Sequence, residues 1–470
     1  MNPSPVPDIL RRLLDDRTPD VVLRAFLDNV RKWRDGDLGT IPASALAPIG
    51  PLPKIADLDE LDPLADSAIR RTVVIKLNGG LGTSMGLDRA KSLIPAKNGL
   101  TFLDIILRQI AFLRQRCRAP LPLLLMDSFS TDADSLAAIA QNHPSFANPS
   151  GLPLSFLQHR VPKLLADSGL PAAWPANPAL EWCPPGHADI FYALQTSDLL
   201  PRLLADGYEY AFVSNSDNLG ALLHMGILGY FARHAIPFLM EVTARTECDR
   251  KGGHLARSAA TGGLLLRESA QCPADEKDDF ADISKYAFFN TNNLWINLPA
   301  LDARLKASSG VLDLPLIVNR KTVDPVDPSS PAVVQLEAAM GSAISAFPGA
   351  AALVVPRSRF APVKTTNDLL AVRSDLYTLS PSNQVTLHPL RFTPPPDILL
   401  DPAHYKNIAD FEARFPDGAP SLLHCESLRV EGDIAFGPNV VVEGNVHLRN
   451  PTSIPAKIPA GSRLHTPEIR

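Results

Sequence analysis

The run Lys76-Leu-Asn-Gly-Gly-Leu-Gly-Thr-Ser-Met-Gly86 restricts what this chain can fold into more than any other stretch. It leaves Thr72-Val-Val-Ile-Lys-Leu77, whose β-branched and apolar residues predict a buried strand. It precedes Thr101-Phe-Leu-Asp-Ile-Ile-Leu107, whose apolar spacing predicts a helix. Glycine has no Cβ and tolerates positive φ, so a glycine loop leaving such a strand can set bare backbone N–H groups against phosphate oxygens. Two familiar glycine loops are excluded by spacing. A dinucleotide fingerprint needs G-x-G-x-x-G, but Gly80, Gly82 and Gly86 are one residue too long, and a Walker loop needs G-K-[ST], whereas Lys91-Ser92 follows Ala90. A tight turn without a ligand is the plain alternative, and a lysine so soon after the loop favours the phosphate cradle.

The chain has 470 residues with 45% hydrophobic content, enough for a large core and more than one domain. Its charges are interspersed and sum to −5, so it lacks the basic stripe of a nucleic-acid binder, and no nucleic-acid partner is expected. Five scattered cysteines (Cys117, Cys183, Cys248, Cys272, Cys425) form no C-x-x-C pair, which argues against zinc or a disulfide framework and fits a reducing, cytoplasmic location. The N-terminus has no signal-like apolar region, and no long apolar run predicts a membrane segment. The 45 prolines are dispersed and read as loop stiffening.

Three regions follow from the patterning. Residues 1–68 hold two short amphipathic helices between Asp8 and Trp33 and a proline-rich connector. Residues 69–390 alternate strand and helix patterns, the signature of a parallel α/β architecture. In residues 391–470 apolar residues recur every six positions (Leu422, Leu428, Ile434, Val440, Val446, and Val430, Phe436, Val442, Leu448), with Gly432 and Gly444 at turns, a period that predicts a β-helix. Its edges could lean on the α/β region or pair with another subunit, giving a homo-oligomer.

Within the α/β region, polar residues gather where strands end, the usual place for ligands in open α/β sheets. Leu154-Ser-Phe-Leu-Gln158 ends in a glutamine that suits the edge of a base or sugar, or a solvated loop. Pro184-Pro-Gly-His187 heads a helix, where free N–H groups suit an anion or a carbonyl, while His187 could equally cap or pack. Tyr210-Ala-Phe-Val-Ser-Asn-Ser-Asp217 turns abruptly polar at its end. Asp217 could hold Mg²⁺ beside phosphates, or cap a helix beginning near Gly220. Further on stand the Gly252-Gly253 pair, Glu268 and Asn290-Thr-Asn-Asn293, whose amides and carboxylate suit sugar hydroxyls, and then Arg357, Arg359 and Lys364, either a solvated basic edge or cations for a pyrophosphate.

The glycine loop with Lys91-Ser92, Asn98-Gly-Leu-Thr-Phe-Leu-Asp104, Asn290-Thr-Asn-Asn-Leu-Trp295 and Pro362-Val-Lys-Thr-Thr366 closely resembles the eukaryotic-type UTP–glucose-1-phosphate uridylyltransferases, or UDP-glucose pyrophosphorylases. The resemblance runs from about Val74 to Val446. It implies a Rossmann-like nucleotide-sugar transferase domain with a mixed, mostly parallel sheet and a C-terminal left-handed β-helix. It further implies transfer of uridylyl from UTP to glucose 1-phosphate, giving UDP-glucose and pyrophosphate, with Mg²⁺ as cofactor. By the same resemblance Leu77, Gly79, Gly80, Gln158 and Gly186 bind the nucleotide, and His187, Asn215, Gly252, Glu268, Asn290 and Asn292 bind the sugar phosphate. Asp217 is the implied metal ligand, and Lys91 and Lys364 the catalytic cations. A related sugar 1-phosphate as substrate, such as N-acetylglucosamine 1-phosphate, and a catalytically silent UDP-sugar sensor are the alternatives. Two positions depart from the family pattern: Ala90 replaces a proline and Ala188 a glycine.

Overall fold

In a computed structural model of the chain, the described residues are 5–465 apart from 60–61, 83–84, 88, 247–248 and 251. Thr83 and Ser84 of the glycine loop and Cys248 therefore lie outside the description. The centre is a ten-stranded mixed sheet. Its half around the glycine loop is parallel: Tyr210–Asn215, Thr72–Leu77, Leu123–Asp127 and Ser155–Leu157 lie side by side and point the same way. The other half is largely antiparallel, because Phe288–Asn297 runs against both Tyr210–Asn215 and Phe238–Ala244, whose far edge pairs in parallel with Ala351–Val354. Strands covered on both faces must be apolar throughout, and Val73, Val74, Ile75, Leu123, Leu124, Leu125, Phe212 and Val213 are all fully buried.

The predicted helix after the loop spans Phe102–Cys117, and Thr101 and Asp104 close a reciprocal capping box at its start, with Asp104 N–H donating to Thr101 Oγ1 (3.0 Å) and Thr101 N–H to Asp104 Oδ2 (2.9 Å). Its apolar side fills one face of the sheet, and that core runs without a break into the C-terminal region through Ile398, Tyr405 and Leu422. The opposite face is filled by Phe191, Leu194, Met240, Leu294 and Ile344. The two N-terminal helices, Val6–Asp15 and Asp20–Arg34, pack through Ile9 and Phe26 against Val161, Leu164 and Leu336. The connector after them does more than link: Leu46–Ala47 adds an edge strand to the central sheet against Arg257 and Ser258.

In the C-terminal region the six-residue period becomes parallel strands. Ser421–Glu431 lies beside Val441–Arg449 with Leu428 on Val446 and Val430 on Leu448, and Ile434–Phe436 lies beside Ala456–Ile458. From Ser427 to Glu431 the partners lie eighteen positions apart, three of the six-residue periods. Gly432 turns the chain at φ +83° and Gly444 sits within Val441–Arg449 at φ +66°, where the register against Ser421–Glu431 shifts; both are conformations that L side chains avoid. No helix among the described residues is long and apolar enough to cross a membrane.

Candidate active site

The carboxyl ends of the parallel strands form the floor of the site. Leu77 and Asn215 are register partners there, and Ser216 N–H and Oγ both donate to the Leu77 carbonyl (3.0 and 2.9 Å), so the glycine loop and the Asp217 tip leave the sheet side by side. The loop is anchored by Asn78, whose buried Nδ2 donates to Asp127 Oδ1 (2.7 Å) and Ser135 Oγ (2.9 Å). Burial raises the Asp127 carboxyl to about 6 against these hydrogen bonds. Gly79 passes so close to Gln158 that an added Cβ would stand 2.6 Å from its Nε2, whereas Gly80 faces open space. The loop then returns: Lys91 N–H donates to the Gly80 carbonyl (3.1 Å), and Lys91 Nζ donates to Asp217 Oδ2 at 2.7 Å. Two charged residues 126 positions apart therefore meet at one point.

Asp217 does not cap a helix. The next helix starts only at Met225, so the capping alternative falls away. Its second oxygen, Oδ1, is buried without a hydrogen-bond partner among the described residues. An uncompensated carboxylate oxygen beside a phosphate cradle suits a divalent cation that takes its remaining ligands from phosphate oxygens. Among the described residues no group of three or more His, Cys, Asp or Glu forms an all-protein cage.

The opposite side of the cleft is a strap, residues 356–364, laid across the tip of Tyr210–Asn215. Val363 N–H donates to the Asp217 carbonyl (3.2 Å) and Ala361 N–H to Asn218 Oδ1 (3.1 Å). Lys364 follows directly, exposed, and its Nζ has no hydrogen-bond partner among the described residues. Its ammonium acts on two groups across the cleft. Burial pushes the Glu268 carboxyl up while Lys364 opposes the shift, and burial lowers His187 to about 4 with Lys364 adding to it. His187 Nδ1 accepts the Met340 N–H (2.9 Å), so the proton of the neutral ring sits on Nε2. Gly186 is required beside it: its φ is +88° and a Cβ would lie 2.4 Å from the Ala338 carbonyl.

Asn290 and Asn292 sit where the pairing of Phe288–Asn297 with Phe238–Ala244 slips opposite Glu241. The irregularity places Asn292 at φ +57° and lets the two amides bond each other, Asn290 Nδ2 to Asn292 Oδ1 at 2.9 Å. Gly252 rests on the Phe289 ring and Gly253 on the Glu268 carboxylate; a Cβ at either would collide, at 2.0 and 2.3 Å. The glycine loop, the sheet tip, the strap and the bulged strand carry most of the predicted site residues, while Gln158 follows Ser155–Leu157, Gly186 and His187 open the turn before the helix Ile190–Thr196, and Gly252 and Glu268 flank the strands His254–Ser258 and Leu264–Arg267.

A sequence profile of the UTP–glucose-1-phosphate uridylyltransferases matches residues 39–443. The UTP–glucose-1-phosphate uridylyltransferase of Solanum tuberosum is 41% identical over 451 residues, spanning 94% of this chain and 91% of its own. That of Saccharomyces cerevisiae is 42% identical over 399 residues, 85% of this chain and 78% of its own. This chain belongs to the UTP–glucose-1-phosphate uridylyltransferase family. Among solved structures, a mutant UDP-glucose pyrophosphorylase of Leishmania major in complex with UDP-glucose superposes with a TM-score of 0.91 at 44% identity, covering 98% of each chain. The enzyme of Trypanosoma brucei gives 0.91 at 42% identity, again over 98% of each.

Two of the cations set against a pyrophosphate in the sequence are already committed in this family member. Arg357 is held by both oxygens of Asp249 (2.6 and 2.8 Å), and Arg359 forks onto Glu241. Lys91 is paired as well, but with Asp217 at the site itself, and Lys364 has no ion-pair partner among the described residues. Sequence reasoning missed Glu241, although a carboxylate in the middle of the apolar strand Phe238–Ala244 was the available signal, since a buried charge needs a partner. It also missed Lys76, which is buried under the site with Nζ on Ser214 Oγ (2.7 Å) and the Ala221 carbonyl (2.8 Å), and which burial lowers to about 7. The departures from the family pattern fit locally. Ala188 is buried with its N–H on the Ala338 carbonyl (3.0 Å), and Ala90 holds φ −55°, a value proline would impose.

Proposed function

We propose that the protein catalyses reversible uridylyl transfer from UTP to glucose 1-phosphate, releasing pyrophosphate and forming UDP-glucose. The observation that carries this reading is the meeting of Lys91 and Asp217 at the mouth of the glycine loop, with the unpaired Lys364 on the strap bonded to Asp217's own backbone. A sugar-phosphate oxygen attacks the α-phosphorus in line, and pyrophosphate leaves from the opposite side. The second pKa of a phosphate monoester is about 6, so the nucleophile is ionised at neutral pH and no general base is required. The protein's task is to align two polyanions and to balance charge as it shifts onto the leaving group. The glycine-loop N–H groups and Lys91 would hold the triphosphate, and Lys364 the phosphates from the strap. Neutral His187 would offer an Nε2–H, a donor that adds no charge of its own. Gln158 would read the uracil edge against Gly79, while Asn215, Glu268, Asn290 and Asn292 would orient the hexose, with Gly252 and Gly253 allowing its approach. Asp217 is the residue that would hold Mg²⁺, whose charge would offset that of the α-phosphate and of the departing pyrophosphate.

The same reading takes residues 69–390 as the catalytic domain behind a helical segment and linker, 1–68. It takes 391–470 as a left-handed β-helix, supported by the eighteen-residue stacking interval, and as the surface through which copies would associate. A cytoplasmic location rests on the scattered cysteines.

Pyrophosphate release measured across several sugar 1-phosphates and nucleotides, with and without magnesium, tests the assignment. The expected result is turnover with UTP and glucose 1-phosphate that chelation abolishes; preference for another sugar would move the substrate, and binding of UDP-glucose without release would leave a sensor. Lys91→Ala is expected to lower kcat by at least about 10²-fold, the scale of losing one transition-state cation or donor, with a melting temperature close to the parent's. Near-normal turnover in that variant would remove Lys91 from the chemistry.

A further inference from the structure

Beneath the strap lies a charged pair with no place in the scheme above. Arg359 Nε donates to Glu241 Oε2 (2.8 Å) and Nη2 to Oε1 (2.6 Å), and both side chains are almost wholly buried. The same carboxylate accepts Trp295 Nε1–H (3.0 Å) and Asn293 Nδ2–H (3.0 Å), so each of its oxygens serves two donors. The Arg359 carbonyl in turn accepts from Asn218 (3.0 Å) and Asn293 (3.2 Å). Three elements are thereby tied to one carboxylate: the strap that carries Lys364, the tip that carries Asp217, and the bulged strand that carries Asn290 and Asn292.

A buried ion pair is weak evidence for stability, because the cost of removing both charges from water offsets much of their attraction. What a forked guanidinium–carboxylate pair supplies is direction: two parallel hydrogen bonds fix both planes, which neither a lysine nor an apolar pair reproduces. Between Pro356 and Thr365 the strap has only one short turn, Arg357–Arg359; the Val363 N–H bond to Asp217 and the Lys364 N–H bond to Asp368 Oδ2 (2.9 Å) hold its far end, and the two arginines hold the near end from which Lys364 is carried. Arg357 is pinned to Asp249, and Arg359, five residues before Lys364, is pinned to Glu241.

We propose that Arg359 and Glu241 are positioning residues that set Lys364 against the triphosphate, acting through the strap and never touching substrate. The inference rests on the reading of Lys364 as a phosphate-binding cation. It is tested by a double-mutant cycle with steady-state kinetics and thermal melting, using Arg359→Lys, Lys364→Ala and the two combined. A misplacement of about 1 Å costs up to about 10²-fold, so Arg359→Lys is expected to lower kcat at least about tenfold while KM for UTP stays within about twofold. In the Lys364→Ala background the same substitution should change kcat by less than about twofold, because the residue it positions is gone. Because Arg359→Lys could fail to fold, the cycle is repeated with Glu241→Gln/Arg359→Met, which removes both charges together but keeps a side-chain oxygen to accept the Trp295 Nε1–H, and which is expected to stay folded at the assay temperature, melting somewhat below the parent, while showing the same kinetic pattern. Unchanged kcat in the Arg359 variants overturns the proposal, as does a loss that persists in full without Lys364. Near-normal turnover of Lys364→Ala alone overturns the reading of Lys364, and with it the proposal, by a route the other outcomes do not take.

Discussion

The two rims of the cleft handle charge in opposite ways. The glycine-loop rim is held by backbone hydrogen bonds and by one small polar knot, Asn78 with Asp127 and Ser135, and it meets the cleft in bare backbone. The strap rim is held by two forked ion pairs, Arg357 with Asp249 and Arg359 with Glu241, and it meets the cleft in a lysine whose ammonium has no partner among the described residues. On the strap rim the forked pairs satisfy the carboxylates that fix the shape, whereas the loop-rim knot leaves Asn78 Oδ1 and Asp127 Oδ2 without partners among the described residues; Asp217 Oδ1 and Lys364 Nζ are the groups left for a ligand. Counting cations near a phosphate site is therefore a poor guide to the chemistry, and asking which cations are tied to a carboxylate away from the site, as Arg357 and Arg359 are and Lys91 is not, is a better one.

Adding one methyl group to each rim breaks this comparison most directly. At Gly220 a Cβ would lie 2.2 Å from the Ser358 carbonyl, a backbone atom of the strap, so Gly220→Ala has to displace the strap itself. A loss of kcat of about 10²-fold and a clearly lowered melting temperature are expected, since overpacking against fixed backbone costs about 1–3 kcal/mol. At Gly79 the obstacle is the end of the Gln158 side chain, which can swing aside. Gly79→Ala should therefore raise KM for UTP about tenfold, the scale of one lost hydrogen bond, and leave the melting temperature nearly unchanged. If Gly79→Ala also unfolds the protein, the loop rim is as rigid as the strap and the contrast fails.

How much of this was legible in the sequence follows the same division. The strand–loop–helix unit and the six-residue period could be read because each is a local pattern whose period is complete within a short window. Asp217 could be placed at a strand tip for the same reason. The partners of Arg357 and Arg359 could not, since Asp249 and Glu241 are 108 and 118 positions away and only the folded sheet brings them under the strap. The edge strand Leu46–Ala47 was hidden too: two residues in a proline-rich connector carry no alternation to detect.

His187 offers a smaller test that separates charge from shape. Its folded-state value is about 4, below the ordinary value of about 6.5, so the unfolded chain takes up the proton first as pH falls. Its contribution to stability is then complete above about pH 6.5, is lost progressively down to about pH 4, and is flat below that. In His187→Gln the part of the stability slope between those limits should vanish. An unchanged slope, measured by denaturant titration at several pH values, would mean that the ring is not held neutral by its surroundings.

The smallest effect is expected at Ala90, where the family pattern has proline. The residue opens the turn that carries Lys91, and its φ of −55° with ψ of 125° is a conformation proline adopts without strain. A proline at a compatible position stabilises chiefly by restricting the unfolded chain, by about 0.4–1 kcal/mol. Ala90→Pro should thus raise the melting temperature slightly and leave kcat within about twofold, because Lys91 already reaches Asp217 from the alanine backbone. A large change in kcat in either direction would mean that the geometry of Lys91 depends on freedom at Ala90, and the loop rim would then owe its function to mobility and not to the fixed backbone described above.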